Sequence, residues 1–371
     1  MSSPRRVPQP TALVAAVPPS TPFVAPEELA RRFGRERLLR LGANESAFGP
    51  SPRAIGAMRE AVGLTSWYGD PESLELRAAL AARHGCAVDE LVVACGIDDL
   101  MGLIVRAFCA PGDACVATRG TYPTLFYHLA GFGARAEFAE PNASGGIVPE
   151  SIAAAVQRSG AKLVYVANPD NPSGAFVDRA TLSALREALP GDVLLFLDEA
   201  YADFVPRDAL PADAIDPRTI RARTFSKAYG MAGARIGYMI ATKRNVDTFQ
   251  KIRLHYGVNR NAQIGAVAAL ADTAFHASVV RQVAEGRAGY YALAGSIGRK
   301  YLESSTNFVC IDFDTNERAT ALMNGLLSRG VFVRKPAAAP LDRYVRISVG
   351  TPEERSEFTR RLHAVMEELD K

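Results

Sequence analysis

The sequence predicts an α/β protein in which a large domain, built on a mainly parallel and helix-covered sheet, is followed by a smaller α+β C-terminal domain. Short apolar runs of strand length recur along the chain, with helical patterns between several of them. Most of these runs are apolar on both faces, as expected of parallel strands that helices cover on two sides. The length of 371 residues exceeds what one hydrophobic core usually supports. After about Asn261 the pattern changes to long Ala-rich helical stretches, which indicates a second domain.

The individual elements follow from these patterns. In the large domain, strands are predicted at Leu91–Cys95, Ala114–Ala117, Leu163–Ala167, Val193–Leu197, Arg221–Phe225 and Ile236–Ala241. Helices are predicted between some of them at Ser73–His84, Asp98–Cys109 and Arg179–Ala188. The smaller domain is predicted to contain strands at Asn307–Phe313, Val331–Arg334 and Tyr344–Val349 and a closing helix from Pro352. Because the carboxyl ends of parallel strands meet at one edge of a sheet, we expect the active site at that edge.

The chain is divided into four parts on this basis. Residues 1–26 are rich in Pro, Ser and Ala with little periodicity, which predicts a flexible N-terminal arm rather than a folded element. Residues 27–45 are expected to join the small domain. Residues 46–260 would form the large domain and residues 261–371 the small one.

Composition excludes several classes of function. The 43 Lys and Arg against 40 Asp and Glu give a net charge of +3, and no dense basic stretch predicts a nucleic-acid partner. The longest apolar runs, such as Val193–Leu197, are far too short to span a membrane, so we expect a soluble protein. The apolar stretch Ala12–Val17 is too short for a signal peptide, which predicts a cytoplasmic location. The cysteines lack the spacing of metal ligands, so free thiols and no metal site are expected.

A lysine lies among anion-binding groups in residues 224–238, which read TFSKAYGMAGARIGY. A single lysine after a strand is usually a solvated surface charge. Here the hydroxyls of Thr224 and Ser226, the cation of Arg235 and the glycines at 230, 233 and 237 accompany it, and such groups suit a phosphate. A lysine beside phosphate-binding groups indicates pyridoxal phosphate (PLP), held by Lys227 as a Schiff base.

An apolar strand ends in a carboxylate in residues 193–201, which read VLLFLDEAY. Asp198 could simply cap the turn that follows. PLP chemistry offers a sharper interpretation, because an ionised Asp beside the ring nitrogen keeps the pyridinium protonated and able to accept a carbanion's electrons. Tyr201 could then hydrogen-bond the phenolic oxygen of the ring.

Turn-forming residues follow the predicted strand Leu163–Ala167, in the sequence ANPDNPSG at residues 167–174. Turn chemistry alone explains this composition. The placement at the carboxyl end of a strand favours a functional interpretation, in which Asn171 donates to the phenolic oxygen of the cofactor.

Two further features point to the same ligand. The segment Cys95-Gly96-Ile97-Asp98 places a glycine between a strand and a helix, which leaves backbone amides at the helix N-terminus to attract phosphate. The aspartate could instead be only a helix cap. Tyr122 could stack on a flat ring, although half-buried packing is the usual role of a tyrosine.

Together these segments resemble fold-type-I PLP enzymes, and most closely the histidinol-phosphate aminotransferase family. The resemblance covers nearly the whole chain after the arm and includes LGANESAFGPSP at residues 41–52 and YGDP at residues 68–71. The DEAY motif and the lysine-to-arginine segment are highly specific as a set. Asp170 and Ser173 stand where members of this family usually have Asn and Thr.

The resemblance implies a role for each candidate residue and makes residues 46–260 the PLP-binding domain. The implied catalytic residues are Lys227, Asp198 and Tyr201. The implied cofactor-binding residues are Gly96, Ile97, Asp98, Tyr122, Asn171, Asp198, Tyr201, Thr224, Ser226, Lys227, Arg235 and Tyr68. The implied substrate-binding residues are Arg346, Arg334 and Asn44. Such enzymes work as homodimers, and Tyr68 would reach the site of the neighbouring subunit.

The expected function is therefore amino transfer between an amino acid or amino-alcohol phosphate and a 2-keto acid. A decarboxylase of a phosphorylated amino acid is the nearest alternative, and release of carbon dioxide would distinguish it. An aromatic amino acid aminotransferase is a further alternative. A non-catalytic binding module of the same fold could have lost Lys227 or Asp198, but both are present.

Overall fold

The computed structural model describes residues 7–18, 24–210 and 215–370. Part of the predicted N-terminal arm, residues 1–6 and 19–23, therefore lies outside the described residues. The strands are β1 (Leu39–Arg40), β2 (Leu91–Ala94), β3 (Ala114–Thr118), β4 (Arg135–Ala139), β5 (Leu163–Ala167), β6 (Leu194–Asp198), β7 (Thr219–Thr224), β8 (Gly237–Ile240), β9 (Tyr301–Leu302), β10 (Phe308–Asp312), β11 (Val331–Phe332) and β12 (Tyr344–Ser348). The α-helices are α1 (Ala12–Ala16), α2 (Pro26–Arg32), α3 (Pro52–Ala61), α4 (Leu74–His84), α5 (Ile97–Phe108), α6 (Thr124–Phe132), α7 (Pro149–Ser159), α8 (Arg179–Ala188), α9 (Lys243–Gln250), α10 (Arg260–Ala271), α11 (Thr273–Ser296), α12 (Asn316–Ser328) and α13 (Pro352–Leu369).

The central sheet has seven strands in the order β2-β8-β7-β6-β5-β3-β4. Strand β8 is antiparallel to both neighbours, and the other pairs are parallel. The sheet is therefore mainly parallel, as the sequence predicts. Its inner strands consist almost entirely of buried residues.

Helices cover both faces of this sheet. Leu100 of α5 and Leu125 of α6 belong to the hydrophobic core on one face. Ile152 of α7 and Leu182 of α8 belong to the core on the other face. Burial on two sides explains why these strands are apolar throughout rather than alternating between apolar and polar residues.

The C-terminal part has its own core and its own sheet. Strands β12, β10 and β9 form an antiparallel sheet, and α11, α12 and α13 pack on it around a separate hydrophobic core. Strand β1 pairs in parallel with β11, through Leu39 opposite Val331 and Arg40 opposite Phe332. This pairing supports the prediction that residues 27–45 join the small domain.

One sequence-based expectation needs correction. The sequence predicts no folded element before Pro26, yet α1 lies there and packs on α6, with the Leu13 side chain beside Gly133. Thr11 caps this short helix by accepting a hydrogen bond from the Val14 amide.

The packing of α10 bears on the domain boundary predicted at residue 261. Helix α10 packs on α3 and α4, where Ala262 and Ala266 share a core with Ala54 and Leu76 of the large domain. This packing favours a boundary between α10 and α11, and the domain limits remain a prediction.

One observation bears on membranes. Within the described residues, no single helix combines the length and apolar composition that a membrane span needs, and only the bent pair α10 and α11 passes when the two are taken together.

Candidate active site

The carboxyl ends of β5, β6 and β7 lie side by side, because Asp198 pairs with Ala167 on one side and Ala222 on the other. A cavity of about 810 Å³ lies at this edge. The loop after β3 and the turn before β8 also reach it and bring Tyr122 and Arg235 to its wall. The cavity therefore lies where the sheet topology predicts a site.

Asp198, the last residue of β6, is a buried carboxylate. It accepts hydrogen bonds from the Tyr165 hydroxyl at 2.9 Å and from the Ala200 amide at 3.0 Å. Within the described part of the chain it forms no ion pair, and burial raises its pKa to about 7. A cationic group beside this carboxylate would offset the cost of its ionisation.

Lys227 follows β7 and is also buried in the cavity. Its Nζ donates a hydrogen bond to the Asn44 carbonyl at 3.1 Å and lies 5.5 Å from the centre of the Tyr201 ring. Burial, together with the positive charge of Arg346, lowers the pKa of Lys227 to about 8. This amine therefore loses its proton, and so becomes nucleophilic, more easily than a lysine in water.

Tyr201 and Asn44 are linked to each other. The Tyr201 hydroxyl accepts a hydrogen bond from Asn44 Nδ2 at 2.9 Å, and burial raises the Tyr201 pKa to about 12. The phenol therefore keeps its proton at neutral pH and can donate it. The other end of the Asn44 amide accepts a hydrogen bond from the Ser348 hydroxyl at 3.1 Å. Both ends of the Asn44 side chain are thus engaged within the protein, which favours a positioning role over the predicted contact with substrate.

The hydroxyls of Thr224 and Ser226 and the guanidinium of Arg235, which the sequence predicts to bind phosphate, lie in the same cavity. Thr224 Oγ1 donates to Ser226 Oγ at 2.9 Å, and both residues are buried. The Arg235 guanidinium lies 3.6 Å from the Asp98 carboxylate. A Cβ added at Gly96 would come within 2.7 Å of an Arg235 nitrogen, so only glycine leaves room for this cation at the N-terminus of α5.

Two residues flank the cavity on the loops after β3 and β5. The Tyr122 hydroxyl donates to the Asp98 carboxylate at 3.2 Å, and burial raises the Tyr122 pKa above its usual range. Asn171 Oδ1 accepts a hydrogen bond from the Arg346 guanidinium. Its amide nitrogen has no protein partner among the described residues, so it is available to donate to a ligand.

Arg334 and Arg346 are brought together by the small domain. Their backbones form an antiparallel bridge, so their side chains emerge on the same side. Arg346 lies in the middle of β12 rather than at its end, and it donates to the Gly42 carbonyl at 2.9 Å. Its Nε is buried with no hydrogen-bond partner in the described structure. Arg334 donates to the Val24 carbonyl at 3.2 Å and lies over the Phe332 ring.

Most of the predicted site residues line this one cavity. They are Asn44, Ile97, Asp98, Tyr122, Asn171, Asp198, Tyr201, Thr224, Ser226, Lys227, Arg235, Arg334 and Arg346. Gly96 lies directly behind Arg235, and Tyr68 lies outside the cavity with its side chain exposed.

The glycines of the lysine segment, Gly230, Gly233 and Gly237, are not among the residues that line the cavity. Gly230 has a φ of +68°, and a Cβ there would come within 2.0 Å of the Gly49 carbonyl oxygen. Gly237 packs against the backbones of Arg223 and Gly96, and Gly233 faces open space. Two of these glycines therefore permit close approach of backbones.

Sequence reasoning missed several supporting residues. Tyr165 binds Asp198, and Glu199 forms buried ion pairs with Arg221 and Arg223 that tie β6 to β7. The sequence offers no signal for the Tyr165 contact, because β5 is apolar on both faces and either face could meet Asp198. The adjacent acid in Asp198-Glu199 and the basic alternation in β7 could have indicated the ion pairs.

The cavity fits PLP on several counts. Asp198 is a buried carboxylate that forms no ion pair among the described residues, as suits the partner of a pyridinium nitrogen. Lys227 is a low-pKa amine, and Thr224, Ser226 and Arg235 provide donors for a phosphate. Tyr201 and Asn171 each have a donor available for the phenolic oxygen.

This fold and this set of groups define a PLP-dependent enzyme of fold type I. The chain belongs to the aminotransferase class I and II family, whose model matches residues 36–362. A histidinol-phosphate aminotransferase from Roseiflexus castenholzii is 37% identical over 92% of this chain and 94% of its own length. One from Moorella thermoacetica is 32% identical over 97% of this chain and 94% of its own length. The crystal structure of histidinol-phosphate aminotransferase from Sinorhizobium meliloti in complex with pyridoxal-5'-phosphate is 41% identical, with a TM-score of 0.94 over 99% of this chain and 100% of that one.

Proposed function

We propose that this aminotransferase takes the amino group of histidinol phosphate and passes it to a 2-keto acid. The observation that carries the proposal is the pair Arg334 and Arg346, which stand side by side in the cavity that holds Lys227. Guanidinium groups bind both carboxylates and phosphates in bidentate fashion, so the pair suits an amino-alcohol phosphate and a keto acid in turn. The names of the relatives support the same substrate, and their membership of the family favours amino transfer over decarboxylation.

The outer wall of the cavity supports a donor with a flat side chain. Phe126 and Phe138 meet edge to face with ring centres 5.3 Å apart, and the Arg119 guanidinium lies over Phe138. All three line the cavity. Aromatic rings pack well in such an edge-to-face wall. An imidazole side chain fits it, and so does a phenyl ring, which keeps aromatic amino acids as second donors.

The protein residues divide the chemistry among them. When bound, PLP supplies an electron sink for the carbanion that forms at the donor Cα. Asp198 would keep a proton on the ring nitrogen, and Tyr201 and Asn171 would donate to the phenolic oxygen. Lys227 Nζ lies in the same cavity and would act as the base that takes the proton from the donor Cα and as the acid that gives it back. Thr224, Ser226, Arg235 and the amides at Gly96, Ile97 and Asp98 hold the phosphate.

A donor screen tests the substrate. Histidinol phosphate, histidinol, glutamate and phenylalanine should be compared as amino donors, each with a keto acid acceptor. We expect the highest kcat/KM for histidinol phosphate, because the dephosphorylated histidinol leaves a buried guanidinium without its anion. Equal kcat/KM for histidinol and histidinol phosphate would contradict the assignment, and carbon dioxide release would indicate the decarboxylase.

A labelling experiment tests the cofactor assignment separately. The purified holoenzyme should be yellow, and borohydride should bleach the colour by fixing the cofactor to Lys227. Peptide mass spectrometry should then find the pyridoxyl group on Lys227. Label on another lysine would contradict the assignment of Lys227 as the residue that binds the cofactor.

We further propose that the enzyme acts as a homodimer through a surface patch that comprises Trp67, Tyr68, Leu254 and Tyr256. These side chains are 64%, 78%, 70% and 56% exposed, which is unusual for large apolar groups in one neighbourhood. The rings of Tyr68 and Tyr256 lie 4.6 Å apart. Aromatic clusters of this kind are typical of subunit interfaces, so Tyr68 is placed to serve a neighbouring site.

A further inference from the structure

Asp170 is a buried carboxylate that the proposed chemistry does not use. It lies on the loop after β5, is 4% exposed, and forms no ion pair in the described part of the chain. Burial raises its pKa, and its hydrogen bonds oppose that rise. An acid held in this way needs hydrogen-bond donors around it, and Thr121, Ser173 and the Asn171 backbone supply them.

The donors come from two different loops. Thr121, on the loop after β3, donates its hydroxyl to Asp170 Oδ1 at 2.7 Å. Ser173, on the loop after β5, donates its amide and its hydroxyl to Asp170 Oδ2 at 3.1 and 2.6 Å. Strands β3 and β5 are parallel neighbours, so one carboxylate joins the two loops at the cavity edge of the sheet.

Each loop carries a cavity residue next to its contact with Asp170. Tyr122 follows Thr121, and Asn171 follows Asp170 itself. Both line the cavity. The family resemblance implies that Tyr122 stacks on the cofactor ring, and the proposed function gives Asn171 a contact with the phenolic oxygen of that ring. A change in the spacing of the two loops would therefore tilt the ring.

We propose that Asp170 is a positioning residue that sets the distance between Tyr122 and Asn171 and so fixes the orientation of the PLP ring. It acts through the geometry of its oxygen acceptors and not through its charge. An asparagine could satisfy the same neighbours, because its oxygen can accept from Ser173 while its amide nitrogen donates to the Thr121 hydroxyl. The inference rests on the proposed cofactor site, which the label on Lys227 tests independently.

The experiment measures ring orientation directly. The cofactor absorbs visible light, and its circular dichroism per bound molecule depends on how the asymmetric site holds the ring. Wild type, Asp170→Ala, Asp170→Asn and Asp178→Ala should be compared as holoenzymes in visible circular dichroism, PLP affinity, kcat and thermal unfolding temperature. Asp178 is the matched control, because it caps α8 from the surface by accepting from the Thr181 amide at 2.9 Å.

We expect Asp170→Ala to lose most of the visible dichroism per bound cofactor and on the order of tenfold to a hundredfold in kcat, as when groups that orient functional ligands are removed. Asp170→Asn should recover most of both. Asp178→Ala should lower the unfolding temperature and leave the dichroism unchanged. Thr121→Val should reduce the dichroism like Asp170→Ala, since it removes the donor on the other loop, and Thr121→Ser should restore it.

Two outcomes would overturn the proposal. Unchanged dichroism in Asp170→Ala, with only a lower unfolding temperature, would show a purely structural residue. A loss in Asp170→Asn as large as that in Asp170→Ala would show that the charge matters and not the acceptor geometry.

Discussion

Burial shifts the pKa of Asp198 and that of Lys227 in opposite directions. The carboxyl pKa rises to about 7 and the ammonium pKa falls to about 8, because a buried site disfavours the charged form of each group. The protein thus makes ionisation of the acid and protonation of the amine less favourable than in water. A bound cofactor with a cationic ring nitrogen would return the carboxylate to its ionised state. These two residues therefore lower the folding stability of the protein when no cofactor is bound.

This cost predicts how Asp198→Asn changes the apoprotein. The folded pKa of about 7 lies above the unfolded value, so the native carboxyl keeps a proton that the unfolded chain loses between about pH 4 and pH 7. Stability of the wild-type apoprotein therefore falls as the pH rises through that window. Asparagine removes this term, so the variant should be more stable at pH 7.5, by up to about 4 kcal/mol, and should lose the advantage toward pH 4.

Urea unfolding of both apoproteins at several pH values measures this difference. Saturating PLP should reverse the order, because only the carboxylate gains a partner in the ring nitrogen. An advantage that does not vary with pH would show that Asp198 is ionised in the apoprotein.

The same substitution should reduce turnover severely. A neutral amide cannot hold a proton on the ring nitrogen, so the ring becomes a poorer electron sink. We expect a loss of roughly 10²- to 10³-fold in kcat, the order found when one preorganised electrostatic group is removed. Steady-state kinetics with the best donor tests this, with PLP occupancy confirmed by absorbance. Near wild-type turnover in this variant would show that Asp198 only caps the turn that follows β6.

The two cavity arginines should differ in their effects. If Arg346 holds the anion nearest the reacting carbon, Arg346→Lys should raise KM for every donor, since lysine lacks the guanidinium fork. Arg334→Ala should penalise only donors that carry a phosphate or a second carboxylate, by about 1.5–3 kcal/mol in kcat/KM for a lost charged hydrogen bond. If Arg334→Ala lowered kcat/KM equally for donors with neutral and with anionic side groups, Arg334 and Arg346 would not have separate roles.

At the level of elements, the N-terminus of α5 depends on the backbone of one glycine. Gly96 has φ +84° and ψ 175°, a region that is essentially restricted to glycine. A side chain here would also collide with the Arg235 guanidinium, which is flexible and would move out of the phosphate site. A substitution at Gly96 would therefore strain the start of α5 and displace Arg235, and both effects would weaken cofactor binding.

We therefore predict that Gly96→Ala weakens PLP binding by roughly ten- to a hundredfold, or about 1.4–2.8 kcal/mol. Gly112→Ala is the matched control, because Gly112 has φ +91° but no atoms near its added Cβ. It should lower stability through strain alone and leave PLP affinity unchanged. Equal PLP affinities in the two variants would mean that the contact with Arg235 does not matter.

The elements themselves differ in how well the sequence predicts them. The buried strands and α8 were predicted to within a few residues, because burial on both sides makes a strand apolar throughout. Strand β4 was missed because it is an edge strand whose residues are mostly half-exposed, which weakens the pattern. The cavity residues on loops were predicted from motifs, whereas Tyr165 and the Thr121–Asp170 contact join loops and strands that are distant in sequence and leave no local pattern.

At the level of the whole molecule, the proposed homodimer would make each active site depend on both chains, because Tyr68 of one chain would serve the site of the other. Its side chain is outside the cavity of its own chain, and Arg260 binds its carbonyl, which fixes the loop that presents it. In a homodimer related by a two-fold axis, each subunit would supply Tyr68 to the other. This arrangement can be tested without separating the subunits.

The test compares two purified heterodimers, each made by co-expression of differently tagged chains. In the first, one chain carries Lys227→Ala and the other Tyr68→Phe, so one site keeps both Lys227 and a Tyr68 from its neighbour. In the second, both substitutions are on one chain and the partner chain is wild type, so the only site with a lysine meets a phenylalanine.

At limiting PLP we expect the first heterodimer to retain about half of the wild-type activity, because one of its two sites is complete. The second should match the Tyr68→Phe homodimer in activity per site that has Lys227. The reverse ranking would place Tyr68 in the site of its own chain, and equal activities would exclude it from the cofactor site.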